Sequence, residues 1–187
     1  MNLSDADSRE PGSHAAPLPQ LPIIWIGYLF GIATIVAEFV AVTLHPELAK
    51  EGGIPPLYLF LASFVGGVYW LVCIYQLHVV MAHVPGWRHP ISPARAVGFH
   101  FIPFYNLYWI FKWPREIANF VNARLQQPIM KPVAVGVAIL AALVLRILDP
   151  GFGLILLFFP VSYVSECLRR AFAAPPVQSG SLPPASL

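Results

Sequence analysis

At 187 residues the chain has the length of one ordinary domain, yet 57% of it is apolar and only 11% charged, where soluble domains carry about 25% charged residues. Too few charges remain to build a hydrated shell, which speaks against a soluble globular protein and for an integral membrane protein. The formal net charge of +2 gains meaning only from where the charges lie along the chain.

Residues 1–20 hold Asp5, Asp7, Arg9, Glu10 and four glycine or proline positions. They lack the charged-then-apolar order of a cleaved leader and read as a disordered segment ahead of an uncleaved first helix. The stretch 22–44 (PIIWIGYLFGIATIVAEFVAVTL) is the first expected span, its 23 residues being enough for about 30 Å of hydrocarbon. Gly27 and Gly31 form a GxxxG step, extended at the same spacing by Ala33, Ala37 and Ala41. Such small residues admit a close neighbouring helix, here most simply another helix of the same chain. A polar link with Gly52-Gly53 and Pro55-Pro56 leads to the second expected span, 57–82, interrupted mainly by Gln76 and His78 and closed by Pro85-Gly86.

Residues 91–127 form a connector of different character. Ser92 and Pro93 are a cap and a first helical position. The segment 97–113 (VGFHFIPFYNLYWIFKW) is apolar and aromatic but broken by Pro103 and Asn106, with His100 and Lys112 toward its ends. It reads as a re-entrant element, an interfacial helix or a fifth span. Asn106 is placed to satisfy backbone groups freed by Pro103, and Tyr105, Tyr108, Trp109 and Trp113 suit a headgroup region. Pro114 is expected to break the chain again, before an amphipathic stretch from Arg115 in which Ile117, Phe120, Val121 and Leu125 share a face.

Two late apolar stretches, 129–148 and 152–168, flank Asp149-Pro150-Gly151 and read as a helical hairpin, followed by a disordered tail at 171–187. The fold class expected is therefore an all-α membrane protein, with four transmembrane helices in two pairs joined by a cytoplasmic-side broken and amphipathic connector. Keeping the connector on one side gathers Arg9, Arg88, Arg95, Lys112, Arg115, Arg124, Lys131, Arg169 and Arg170 on that side, leaving Lys50 and Arg146 on the other. A fifth span would carry Lys112 to Lys131 and the last two arginines outward. The positive-inside rule thus favours four spans with both termini cytoplasmic.

The order Pro93-x-x-Ala96, Phe101-Ile102-Pro103-x-x-Asn106-Leu107 and Lys112-Trp113-Pro114-x-Glu116-Ile117 resembles the signature of a bacterial multi-pass membrane family, the domain of unknown function numbered 4328. His100 stands where that pattern has an aromatic residue. The resemblance covers residues 22–170 and is specific over 93–116. It implies a four-helix core in a bacterial inner membrane, and implies no reaction, ligand or cofactor.

Cys73 and Cys167 lie in or beside apolar stretches without CxxC spacing and read as buried small hydrophobes. No zinc-ligand spacing, P-loop, dinucleotide fingerprint or nucleophile elbow is present, so no catalytic residue, metal ligand or cofactor is assigned. The intramembrane polar residues are Glu38, Gln76, His78, Arg146 and Glu166. Glu38 and Arg146 fall at similar depth and are expected to pair. His78 and Glu166 are a second pairing to look for. The connector residues Pro93, His100, Phe101, Pro103, Asn106, Trp109, Trp113, Arg115 and Glu116 form the candidate lipid or partner site. The leading reading is a non-enzymatic structural, interaction or regulatory subunit that contacts membrane lipids and either a membrane protein partner or further copies of itself. A small oligomeric transporter using Glu38, Gln76, His78, Asn106 or Glu166 along a polar path is the main alternative, and an intramembrane lipid-modifying enzyme using His100 and Glu116 the next. The basic residues are accounted for by topology, which leaves no case for nucleic acid.

Overall fold

A computed structural model of the chain describes residues 19–46 and 56–175. The predicted disordered segment and tail, and Lys50, fall wholly or mostly outside these residues. All described secondary structure is helical: α1 (Ile24–Leu44), α2 (Leu57–Ala82), α3 (Pro93–Gly98) with a 3-10 turn at Phe99–Phe101, α4 (Tyr105–Leu125), α5 (Pro132–Leu148) and α6 (Pro150–Ala173). Three of these, α1, α2 and α6, are long and apolar enough to cross a membrane; α5 is a shorter apolar helix of 17 residues.

Helix α6 is the centre of the bundle, packing on α1, α2, α4 and α5. Of its most apolar window 61% is buried, against 22% for α1 and for α2. It runs antiparallel to α1: Tyr28 Oη and Ser162 Oγ lie 2.9 Å apart near one end, and Gly151 N–H donates to Glu38 Oε1 (2.7 Å) near the other. Gly27 and Gly31 do mark the contact face, lying against the Phe158 ring and Ile155. Helix α2 lies beside both, with Trp70 Nε1 donating to Leu157 O (3.1 Å).

The tight reversal expected at Asp149-Pro150-Gly151 is present but falls on Asp149 alone, the C-cap of α5 and N-cap of α6, while Pro150 and Gly151 already belong to α6. Asp149 Oδ1 accepts the Phe152 N–H (2.8 Å) and Pro150 occupies the first turn, the arrangement that favours a helix start. At its other end α6 continues past the predicted limit at 168 to Ala173. Arg169 and Arg170 are helical and both reach Glu166, three and four residues back.

The connector goes in and comes back. Ser92 caps α3, its Oγ accepting the Arg95 N–H at 3.4 Å, and α3 packs along α2. The chain reverses at 102–104, and α4 returns along α5 and α6. His100 meets Trp70, the middle of α2, with ring centroids 5.1 Å apart. Phe111 lies over Gly136 of α5, and Arg124 at the far end of α4 donates to Ala171 O and Ala174 O. The later parts of α2, α4 and α6 therefore form one end of the molecule, and the tip of the connector hairpin lies beside the middle of α2 with residues 101–105 exposed.

Two local expectations in the connector are corrected. Pro114 does not break it, since α4 runs uninterrupted through that residue. A helix-interior proline costs about 3 kcal/mol, but Trp109, Ile110, Trp113, Ile117, Ala118, Phe120 and Val121 are all buried on the same helix, and each large apolar side chain returns roughly 1.5–3 kcal/mol. Nor does the Asn106 side chain satisfy the backbone around Pro103. Backbone groups do so themselves: Tyr105 N–H donates to Pro103 O (2.7 Å) and Asn106 N–H to Ile102 O (3.0 Å), placing Phe104 at φ 61° in a tight turn.

Candidate functional site

The hairpin tip closes a cavity of about 300 Å³ whose wall includes Phe64, Gly67, Trp70, His100, Asn106 and Arg146. Trp70 and Gly67 come from α2, Arg146 from the last turn of α5, and His100 and Asn106 from either side of the Pro103 break. In this fold the break is what brings both of these polar residues to the same wall.

Three polar groups face the space. Arg146 Nη2 donates to Ser63 O (2.7 Å) and Ser63 Oγ (3.2 Å). Its guanidinium lies on the bare backbone of Gly67, where a Cβ would sit 2.8 Å from both terminal nitrogens. His100 Nδ1 donates to Ala96 O (2.8 Å), a carbonyl that also accepts from Trp109 Nε1 (2.9 Å). In the neutral ring this leaves Nε2 as a lone-pair acceptor. His100 Nε2 and Asn106 Oδ1 are buried without a hydrogen-bond partner in the protein, a state that costs about 1–3 kcal/mol per group when left unmet.

A second polar cluster lies toward the end formed by α2, α4 and α6. His78 is fully buried and its Nδ1 donates to Ile74 O (2.9 Å). Its ring lies 5.2 Å from that of His89 and 5.9 Å from that of Trp113. His78 Nε2, both His89 ring nitrogens and Trp113 Nε1 lack partners. Burial pushes the His89 pKa down to about 4, against an opposing pull from the Glu116 carboxylate. Glu116 itself pairs with Lys112, and the hydrogen bond between them raises the lysine's pKa. Among the described residues no group of three His, Cys, Asp or Glu could hold a metal ion.

The other predicted residues are dispersed. The expected Glu38–Arg146 ion pair does not form: Glu38 accepts from the first turn of α6 while Arg146 turns to Ser63. Glu166 engages Arg169 and Arg170 on the surface and does not meet the buried His78. Gln76 is half-buried on α2, Arg115 is exposed on α4, and Pro93 begins α3. His100 and Glu116 line different cavities. Ser63, Gly67, Trp70 and His89 were not singled out from sequence. The Ser63-x-x-x-Gly67 pair of small residues is a signal for a close neighbour on that face of α2, but nothing in it says that the neighbour is an arginine.

No protein-family model, no curated protein and no solved structure matches the chain. The fold and composition define an all-α, multi-helix protein with three long apolar helices consistent with membrane spanning.

Proposed function

We propose that the chain is a four-span bacterial inner-membrane protein with both termini cytoplasmic, acting without catalysis as a lipid-binding interaction or regulatory subunit through a re-entrant connector. The observation that carries this reading is the hairpin tip. It sets His100 and Asn106 against the cavity beside the middle of α2 and exposes Phe101, Ile102, Phe104, Leu107 and Tyr108, Phe101 at 70% and Phe104 at 89%. Large apolar side chains projecting next to one another are disfavoured in water and are suited to hydrocarbon. Helix α5 serves as the fourth span at about 25 Å by helical rise, a length that slight bilayer thinning accommodates. The resemblance to the domain of unknown function numbered 4328 falls on this same hairpin, and membership of that family is part of the proposal.

The transporter reading requires residues among Glu38, Gln76, His78, Asn106 and Glu166 to converge on one path, and Glu38 meets the first turn of α6, Glu166 the surface residues Arg169 and Arg170, His78 the Ile74 carbonyl and Asn106 the hairpin-tip cavity. The enzyme reading requires His100 and Glu116 in one pocket, and each lines its own. A Phe104→Cys variant carrying an environment-sensitive fluorophore tests the re-entrant reading, because both native cysteines are buried. In vesicles, lipids brominated on the acyl chain should quench the probe, and aqueous iodide should not. Quenching by iodide alone would place the tip in water and end the re-entrant reading.

A further inference from the structure

The cavity at the hairpin tip combines a cation with two unmet acceptors. Gly67, which carries the Arg146 guanidinium, lies about 15 Å along α2 from Leu57 by helical rise, close to half of a hydrocarbon core of about 30 Å. A guanidinium does not shed its charge, and a charge at that depth calls for a counter-charge or a polar chamber. Ser63 is neutral, and the carboxylate best placed by sequence, Glu38, is engaged by the Gly151 N–H. Beside the cation, His100 Nε2 and Asn106 Oδ1 each need a donor. The remaining wall includes Phe64, Val68, Leu71 and Leu143. Phe64, Val68 and Phe101 are exposed at the surface, so the cavity is reached sideways, from where acyl chains lie.

Resting on the re-entrant reading above, we infer that this cavity holds the head of a membrane-borne amphipathic acid. An oxyanion accepts from Arg146, a neighbouring hydroxyl donates to His100 Nε2 or Asn106 Oδ1, and the acyl part leaves along Phe64 and Val68. The apolar wall favours a bilayer source over a water-soluble hydroxy acid, which would leave that surface uncovered.

The test is native mass spectrometry of the full chain released from phosphatidylcholine nanodiscs loaded with α-hydroxystearate, stearate or stearyl alcohol. Wild-type protein should carry one saturable α-hydroxystearate, bound at least about tenfold more tightly than the alcohol, the step that 1.4 kcal/mol provides. R146Q should bring the acid down to the alcohol's level, with R146K retaining part of the preference and confirming that the fold is intact. The double variant H100F/N106L, which removes both acceptors, should erase the preference for α-hydroxystearate over stearate, and its persistence there would overturn the hydroxyl contact. V68F, which fills the cavity, should abolish saturable binding of all three. Equal binding of acid and alcohol, unchanged in R146Q, would overturn the acid class while leaving a lipid-binding connector in place. Binding unaffected by V68F would overturn the site, and displacement of α-hydroxystearate by an equal concentration of lactate would overturn the membrane source. The re-entrant reading stands or falls separately, on the quenching of the Phe104→Cys probe.

Discussion

His89 lies in the loop between α2 and α3, with its ring 5.2 Å from that of His78 and Glu116 near enough to act on its charge. Its imidazole titrates near 6.5 in a free chain and at about 4 in the fold, because burial disfavours the cation more than Glu116 favours it. Between those pH values the unfolded chain binds a proton that the folded chain refuses, so stability rises with pH across the interval. The contribution is complete above about pH 6.5 and is lost as pH falls through about 4, amounting to about 2 kcal/mol once the ring's partial exposure is allowed for. Thermal unfolding in detergent at about pH 7 and about pH 4.5 should show the midpoint dropping, and H89F should drop less. Parallel losses in the two proteins would mean that this ring is not the source. His89 was invisible in the sequence because a lone histidine in a Pro/Gly loop carries no sign of burial; only the return of α4 over that loop buries it. His100 and Asn106 stood out earlier because they flank a proline in an otherwise apolar run.

Two prolines in the connector show what is readable at the level of an element. Pro103 ends a helix and Pro114 does not, although both remove a backbone donor and both are expected to interrupt a helix. The difference lies in what the following residues bury. Around Pro103 the side chains of Phe101, Ile102 and Phe104 are exposed, so no packing holds the backbone helical. Around Pro114 the helix carries a continuous buried face onto α5 and α6. Local propensity therefore located the tip of the hairpin and mislocated a second break, since the burial of α4 depends on partners far along the chain. The exit from α4 is fastened by one side chain: Asn122 Oδ1 accepts from Met130 N–H (2.9 Å) and Asn122 Nδ2 donates to Met130 O (3.0 Å). Met130 is buried, so N122A leaves a donor and an acceptor unmet and should destabilise the protein by about 2 kcal/mol. N122D keeps the acceptor and should lose less. A detergent-melting series in which N122A matches wild type would show the α4–α5 junction to be held by packing alone.

At the scale of the molecule, apolar composition and apolar length carried the class of protein, and helix-to-helix pairing was the part hidden from sequence. Apolar spans are apolar all round, so hydropathy does not say which face meets protein and which meets lipid. The prediction of two helical pairs accordingly left out the α1–α6 contact, which is as intimate as the pairing within either hairpin. Its one legible trace was the GxxxG step: Gly27 and Gly31 are buried while Ala33, one of the small residues read as its extension, is exposed. At Gly27 a Cβ would run into the Phe158 ring, and Phe158 is itself fully buried with a tilted contact to Tyr69 on α2. That ring has no open side to move toward, so Gly27→Val must push α1 off α6. Overpacking of this kind costs about 1–3 kcal/mol, whereas A33V on the exposed face should stay within about 0.5 kcal/mol of wild type. The Tyr28–Ser162 and Glu38–Gly151 hydrogen bonds lie on the same interface, so the loss in G27V should reach the upper end of that range. Thermal midpoints of the two variants in detergent decide it: a clear drop for G27V beside an unchanged A33V places α1 on α6 through this glycine, and equal midpoints would remove that contact from the fold.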